Sequence, residues 1–176
     1  SDLHLTDGST STTIHPSAFD LLRRELEGAA RDNKVQDLHL VLLGDIFDVV
    51  RTDWWFDHTA PDARPWNGKI DPRTAMNRDT AAVEAQFAAV LARILEHASA
   101  RGFLKMIQKL AHSNAIPKFK LTYVIGNHDR ALTNFPALQK TIIDALGVPV
   151  QFVHSFTDPA YAVAARHGHE WDENCN

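Results

Sequence analysis

Four short patterns in this 176-residue chain carry side chains that bind cations or move protons. Asp2-Leu3-His4 comes first. Alternate residues on an extended backbone point to one side, so Asp2 and His4 can grip a single ion together, although an Asp-x-His triplet by itself is commonplace. Gly44-Asp45-Ile46-Phe47-Asp48 follows the apolar run Leu38–Leu43. Gly44 lets the chain turn sharply there, and the two carboxylate oxygens of Asp45 can bridge a pair of cations; a helix cap beside a solvated aspartate would use the same residues. Gly126-Asn127-His128-Asp129 follows Lys120–Ile125. Asn127 offers a neutral oxygen ligand and His128 a ligand or proton donor, while Gly and Asn also serve ordinary turns. His167-Gly168-His169-Glu170 follows Ala160–Ala165, and reads either as a metal ligand or as a surface histidine pair.

All four patterns lie at strand ends, where open α/β folds bind their ligands. Taken together, their mixed oxygen and imidazole donors suit Mn, Fe or Zn better than Mg or Ca alone. Two such ions about 3.5–4 Å apart polarise a phosphoryl group and supply a hydroxide near neutral pH, with no serine or cysteine nucleophile required.

The elements that must position these residues alternate along the chain. Ser1–Leu5 reads as the end of a strand entering a polar loop. Pro16 suits a helix first turn, with Phe19, Leu22, Leu26 and Ala29 at helical spacing. Leu38–Leu43 is short and nearly continuously apolar, as expected of a strand buried on both faces. Residues 75–115 are strongly helical, with a stripe from Val83 to Leu95 and an expected break at Gly102. Lys120–Ile125 is a second buried strand, Pro136–Leu146 a helix closed by Gly147, and Val148–Val153 and Ala160–Ala165 two further strands separated by a turn at Thr157-Asp158-Pro159. This alternation predicts an α/β fold. The irregular segment at about 49–75 holds Trp54, Trp55, Phe56 and Trp66, and reads as a substrate-selecting loop or as a cap packed on the domain.

The set SDLH, GDIFD, GNHD and RHGH resembles the successive signatures of the calcineurin-like metallophosphoesterase superfamily and spans nearly the whole chain. The resemblance implies a layered α/β sandwich of two mixed β-sheets flanked by helices. It also implies a phosphomonoester, phosphodiester or pyrophosphate substrate, hydrolysed at a dinuclear centre of two divalent metal ions (Mn, Fe or Zn). Asp2 and His4 would bind the first ion, Asp45 would bridge both, and Asn127 and His167 would bind the second. A bridging hydroxide would attack phosphorus in line. His128 would stabilise the phosphate or protonate the leaving oxygen, and Asp48 would orient His128. His169 becomes a candidate for supporting His167 or touching substrate. Arg130, beside GNHD, is a candidate phosphate contact, ahead of Arg51 and Arg64. The chain departs from the family in two ways. The strand leading into the first motif is absent, and Gly168-His169-Glu170-Trp171 lacks the second histidine of the family's G-H-x-H. Residues 1–176 therefore read as one partial domain, incomplete at both ends.

Composition narrows the alternatives. A hydrophobic content of 44% supports one domain with a sizeable core. A net charge of -4 and the lack of a basic stripe argue against nucleic acid as a partner, which weighs against a DNA nuclease of the same superfamily. A lipid-linked pyrophosphatase would use the Trp-rich loop on an acyl chain, but lacks the expected basic amphipathic surface. A non-catalytic scaffold should have lost its ligands, and this chain retains them. No run reaches the roughly 18–20 apolar residues of a membrane span. The single Cys175 and the lack of a visible signal peptide suggest a cytoplasmic setting. Oligomeric state is not legible.

Overall fold

The computed structural model describes residues 3–12, 14–65 and 80–171. Helix α1 (Pro16–Asp32) starts on a proline whose missing N–H costs nothing at that position, with the His15 ring accepting from the Ser17 amide as its cap. Strand β1 (Asp37–Leu43) follows. A one-turn helix α2 (Trp54–Asp57) and a 3-10 turn (Pro61–Ala63) come next. Then come helices α3 (Thr80–Glu96) and α4 (Ala98–Ala111), strand β2 (Lys118–Val124), the short α5 (Ala131–Asn134), and α6 (Pro136–Leu146). The chain closes with β3 (Gln151–Val153), β4 (Phe156–Asp158) and β5 (Val163–Ala165).

The sheets are simpler than the expected mixed pair. One holds three parallel strands in the order β1-β2-β3, and the other is the antiparallel pair β4-β5, so the fold is α/β with neither sheet mixed among the described residues. Helix α4 packs on α1 and β2, and α3 and α6 join it. The core between them is built on rings: Phe103 meets Phe19 at 5.6 Å and Phe47 at 6.1 Å, and Phe47 stacks on Tyr123 at 6.4 Å. Each such pair adds about 0.5–1.5 kcal/mol beyond the area it buries.

Three local expectations are corrected. Gly102 does not break the helical stretch; the break falls at His97, whose ring caps α4 by accepting from the Ser99 amide. Gly102 sits inside α4, where a Cβ would lie 3.1 Å from the Pro16 backbone, so its role is the close crossing of α1 and α4. Strand β1 is not buried on both faces: Leu42 is buried, but Asp37 and His39, alternate residues on one face, are exposed, so that face is left uncovered at the start of the strand. Thr157 and Asp158, expected in a turn, belong to β4, and Pro159–Tyr161, of which Ala160 and Tyr161 were expected in a strand, form the 3-10 turn before β5. At the N-terminus Leu5 makes only an isolated parallel bridge to Phe47. No helix among the described residues is long and apolar enough to cross a membrane.

Candidate metal centre

The parallel pair β1 and β2 ends in register, with Leu43 opposite Val124, so the loops Gly44–Asp48 and Gly126–Asp129 leave the sheet side by side. Two glycines let them touch. A Cβ on Gly126 would lie 2.2 Å from Asp45 Oδ1, and one on Gly44 would lie 2.3 Å from the His167 ring and 2.9 Å from Gly126 Cα. Gly44 has φ 73, a conformation glycine adopts freely. Asp45, next in the chain, has φ 51, and His4 has φ 43. Left-handed backbone at a side-chain-bearing residue costs on the order of 1–3 kcal/mol and persists only where surrounding structure imposes it. The imposing contacts are visible: the His4 amide donates to Asp45 O at 2.9 Å, Leu5 to Ile46 O at 2.8 Å, and the Asp48 amide to Leu5 O at 2.9 Å.

Asp45 is 3% exposed. Its Oδ1 accepts the His128 amide at 2.9 Å. Its Oδ2 stands 3.8 Å from His4 Nε2 and 3.3 Å from His167 Nε2. An ion held about 2.1 Å from each of two tetrahedral ligands needs those ligands about 3.4 Å apart, so these spacings could accommodate an ion and equally suit bare His–Asp ion pairs. His4, Asp45 and His128 by themselves present ligand atoms within 4.8 Å of one another.

Asp48 is fully buried and organises both imidazoles. His4 Nδ1 lies 2.7 Å from Asp48 Oδ2, and His128 Nδ1 lies 2.9 Å from Asp48 Oδ1. A carboxylate accepts only, so each ring presents its Nδ1–H to Asp48 and turns its Nε2 outward. For His4 this is a carboxylate–histidine arrangement of the kind that would orient a metal ligand. The Arg51 and Val50 amides also donate to Asp48 Oδ1, at 2.9 and 3.2 Å. Burial alone would raise the Asp48 carboxyl, but hydrogen bonds from His128, His4 and the Arg51 amide outweigh it and hold it at about 2. The same bond to Asp48 raises His128 above its ordinary value, against the opposing effect of burial.

His169 supports His167: their Nδ1 atoms are 3.1 Å apart, which leaves His167 Nε2 directed at Asp45. Asn127 is half-buried and lines a cleft of about 280 Å³ together with His128 and Arg130. Arg130 is exposed and forms no ion pair among the described residues. Arg51 lies 3.6 Å from Asp48 Oδ2, while Arg64 donates to Trp55 O at 2.9 Å and sits 4.6 Å over the Phe56 ring. Asp2, Trp66 and Cys175 lie outside the described residues. In the Trp-rich segment, Trp55 is fully buried against Phe87 and donates from Nε1 to Val49 O, so that residue packs and does not face a ligand. Trp54 is half-buried on Trp55, and Phe56 is exposed.

One structural feature of the site carries no role in the sequence reading. Asp129, fully buried, accepts from the Gly126 amide at 2.6 Å, from the Ile46 amide at 3.1 Å and from the Tyr123 hydroxyl. It therefore clamps the two loops together from beneath. Burial pushes its carboxyl up to about 6 despite these three bonds. The signal was present in the tyrosine of the second buried strand, since a buried hydroxyl requires a partner.

No family model, no curated protein and no solved structure matches the chain.

Proposed function

We propose that this chain is a metal-dependent phosphoesterase. The observation that carries the reading is the pair of carboxylates at the strand ends: Asp45, with imidazole Nε2 atoms on two sides, and Asp48, which holds the Nδ1 of both His4 and His128. The donor set fits divalent ions of the Mn, Fe or Zn kind. His4, Asp45, Asn127 and His167 would hold them, with Asp2 as a further ligand by its place in the sequence. When bound, the ions supply positive charge for the phosphoryl oxygens and an acidified water.

The protein's own part follows from its hydrogen bonds. Asp48 holds the Nδ1–H of His128 and favours its imidazolium, the form in which Nε2 has a proton to donate. In hydrolysis a water oxygen bonds to phosphorus, giving up a proton to solvent, and the P–O ester bond breaks. The departing alkoxide oxygen takes the proton from His128 Nε2, and solvent restores it. Asp45 Oδ1, by accepting the His128 amide, fixes the backbone that carries this ring relative to the ligand cradle.

The alternative of a non-catalytic scaffold is disfavoured by the retention of Asp2, His4, Asp45, Asn127 and His128, which a scaffold has no reason to keep. The test compares metal-stripped protein with protein given Mn, on an aryl phosphomonoester and an aryl phosphodiester. Activity should depend on added metal, and Asp45→Asn should lower both bound metal and turnover by more than the roughly 10–100-fold typical of a supporting residue. Two metals bound with no turnover of any phosphoester would favour the scaffold.

A further inference from the structure

Resting on the phosphoesterase reading, we infer that the cleft beside His128 is a subsite for an apolar, ring-sized organic group of the phosphate ester. The cleft has two unlike walls. Asn127, His128 and Arg130 form the polar one, continuous with the candidate ligand cradle. Val49, Val50 and the rings of Phe87 and Phe135, whose centroids are 6.0 Å apart, form the other. A phosphate placed at His128 would have these apolar side chains beside its ester group. These side chains desolvate an apolar group, and a polyhydroxylated or charged one would find few hydrogen-bond partners among them, Asn134 being the one polar side chain of the lining outside residues 127–130.

Size and charge point the same way. A volume of about 280 Å³ lies at the small end of ligand pockets, enough for a ring and its linker and too little for a long acyl chain lying wholly inside. Of the three arginines near the site, Arg51 faces Asp48 and Arg64 is spent on Trp55 and Phe56, which leaves Arg130 to meet the phosphate. Val50 stands at the lip of the apolar wall with 43% of its surface exposed, so it can change without disturbing the core.

The experiment uses the full chain with Mn and follows phosphate release from benzyl phosphate and ethyl phosphate, whose leaving alcohols have similar acidity. Calorimetry with benzylphosphonate and ethylphosphonate, which cannot be hydrolysed in this way, reads binding separately. Wild type should favour the benzyl ester in kcat/KM, and the benzyl phosphonate in Kd, by about tenfold or more. Val50→Ser should shrink both preferences severalfold, with an unchanged melting curve. Equal turnover of the two esters, or a preference indifferent to Val50→Ser, would overturn the subsite while leaving the hydrolase standing. Tighter binding of benzylphosphonate without turnover of either ester would keep the subsite and remove the hydrolase. Failure to bind either phosphonate would remove both.

Discussion

Strands β1 and β2 carry two regions where a histidine faces a polar partner across the pair, and the regions differ in kind. Midway along the strands His39 Nε2 lies 2.8 Å from the Thr122 hydroxyl, its ring edge-on to Phe156 at 4.9 Å. A cavity of about 630 Å³ opens there, bounded by Lys120, Asp158 and Tyr161. At the strand ends the adjoining cleft is smaller, yet Asp45, Asp48 and Asp129 are all buried. Volume thus fails to mark the site. What distinguishes the strand ends is the gathering of three buried carboxylates beside imidazoles, because a buried charge is unfavourable unless it is paired.

The largest effect should come from breaking the contact between the two loops. In Gly126→Ala the new Cβ would meet Asp45 Oδ1 at 2.2 Å and the Asp45 amide nitrogen at 2.7 Å, with backbone on one side and a buried carboxylate on the other. Nothing there is a flexible side-chain end that can swing away. A loss of about 1–3 kcal/mol in denaturant unfolding is expected, with loss of metal binding and turnover beyond that of any supporting residue. Gly28→Ala is the matched control. That position, within α1, has no atom within 4 Å of the added methyl, and the change should stabilise by about 0.4–1 kcal/mol. Equal behaviour of the two variants would mean that the loops do not need their close approach.

These residues also show where sequence reasoning succeeded and stopped. The α/β alternation was legible because apolar runs of strand length are separated by helical stripes. Helix α6 was placed to the residue, since Pro136 opens it and Gly147, at φ 66, closes it. The proximity of Asp48 and His128 was legible only through the ordered motifs, because the residues are 80 apart in sequence. His4 reaching the same carboxylate was not legible: it depends on a left-handed turn at His4 that no local signal announces. Gly102 misled because a glycine amid helical spacing looks the same whether it ends a helix or admits a neighbour, and only Pro16 of α1 distinguishes the two. Strand β1 misled because six nearly apolar residues cannot say whether both faces are covered.

A smaller effect should follow from Asp48→Asn. An asparagine side chain offers one oxygen and one NH₂ where the carboxylate offers two oxygens, so it can accept from only one of the two imidazoles. The other ring must turn its Nδ1 lone pair to the NH₂ and move its proton to Nε2. In His4 that would block a metal-facing nitrogen; in His128 it would leave a neutral ring as the proton donor. Either way a loss of about 10–100-fold in metal affinity or turnover is expected, measured by metal titration and kcat. His39→Ala should change neither, since His39 meets a hydroxyl and a phenyl ring and no carboxylate. A comparable loss in both variants would erase the distinction between the strand middle and the strand ends.

The smallest effect separates the charge that builds this edge of the molecule from the charge that would serve chemistry there. Asp7 lies in the loop after His4, with its side chain 1% exposed and 2.9 Å from Arg93 Nε. It accepts from the Thr52 hydroxyl at 2.7 Å and from the Ser9 hydroxyl at 2.7 Å. Burial would raise its carboxyl, but the bonds from Ser9 and Thr52, with Arg93 adding to them, bring it below its ordinary 3.8. A folded-state pKa below the unfolded one means stability that is fully present above the unfolded value and is lost as pH falls through the folded value. Asp7→Asn should therefore be less stable than wild type by about 1–2 kcal/mol at pH 7, unfolded in the presence of a chelator. The gap should be full above the unfolded value and close only as the pH falls through the lowered folded value, beneath which wild type is protonated in both states. A gap that persists at low pH would assign the effect to the shape of the side chain and remove the ion pair with Arg93 from the account of this edge.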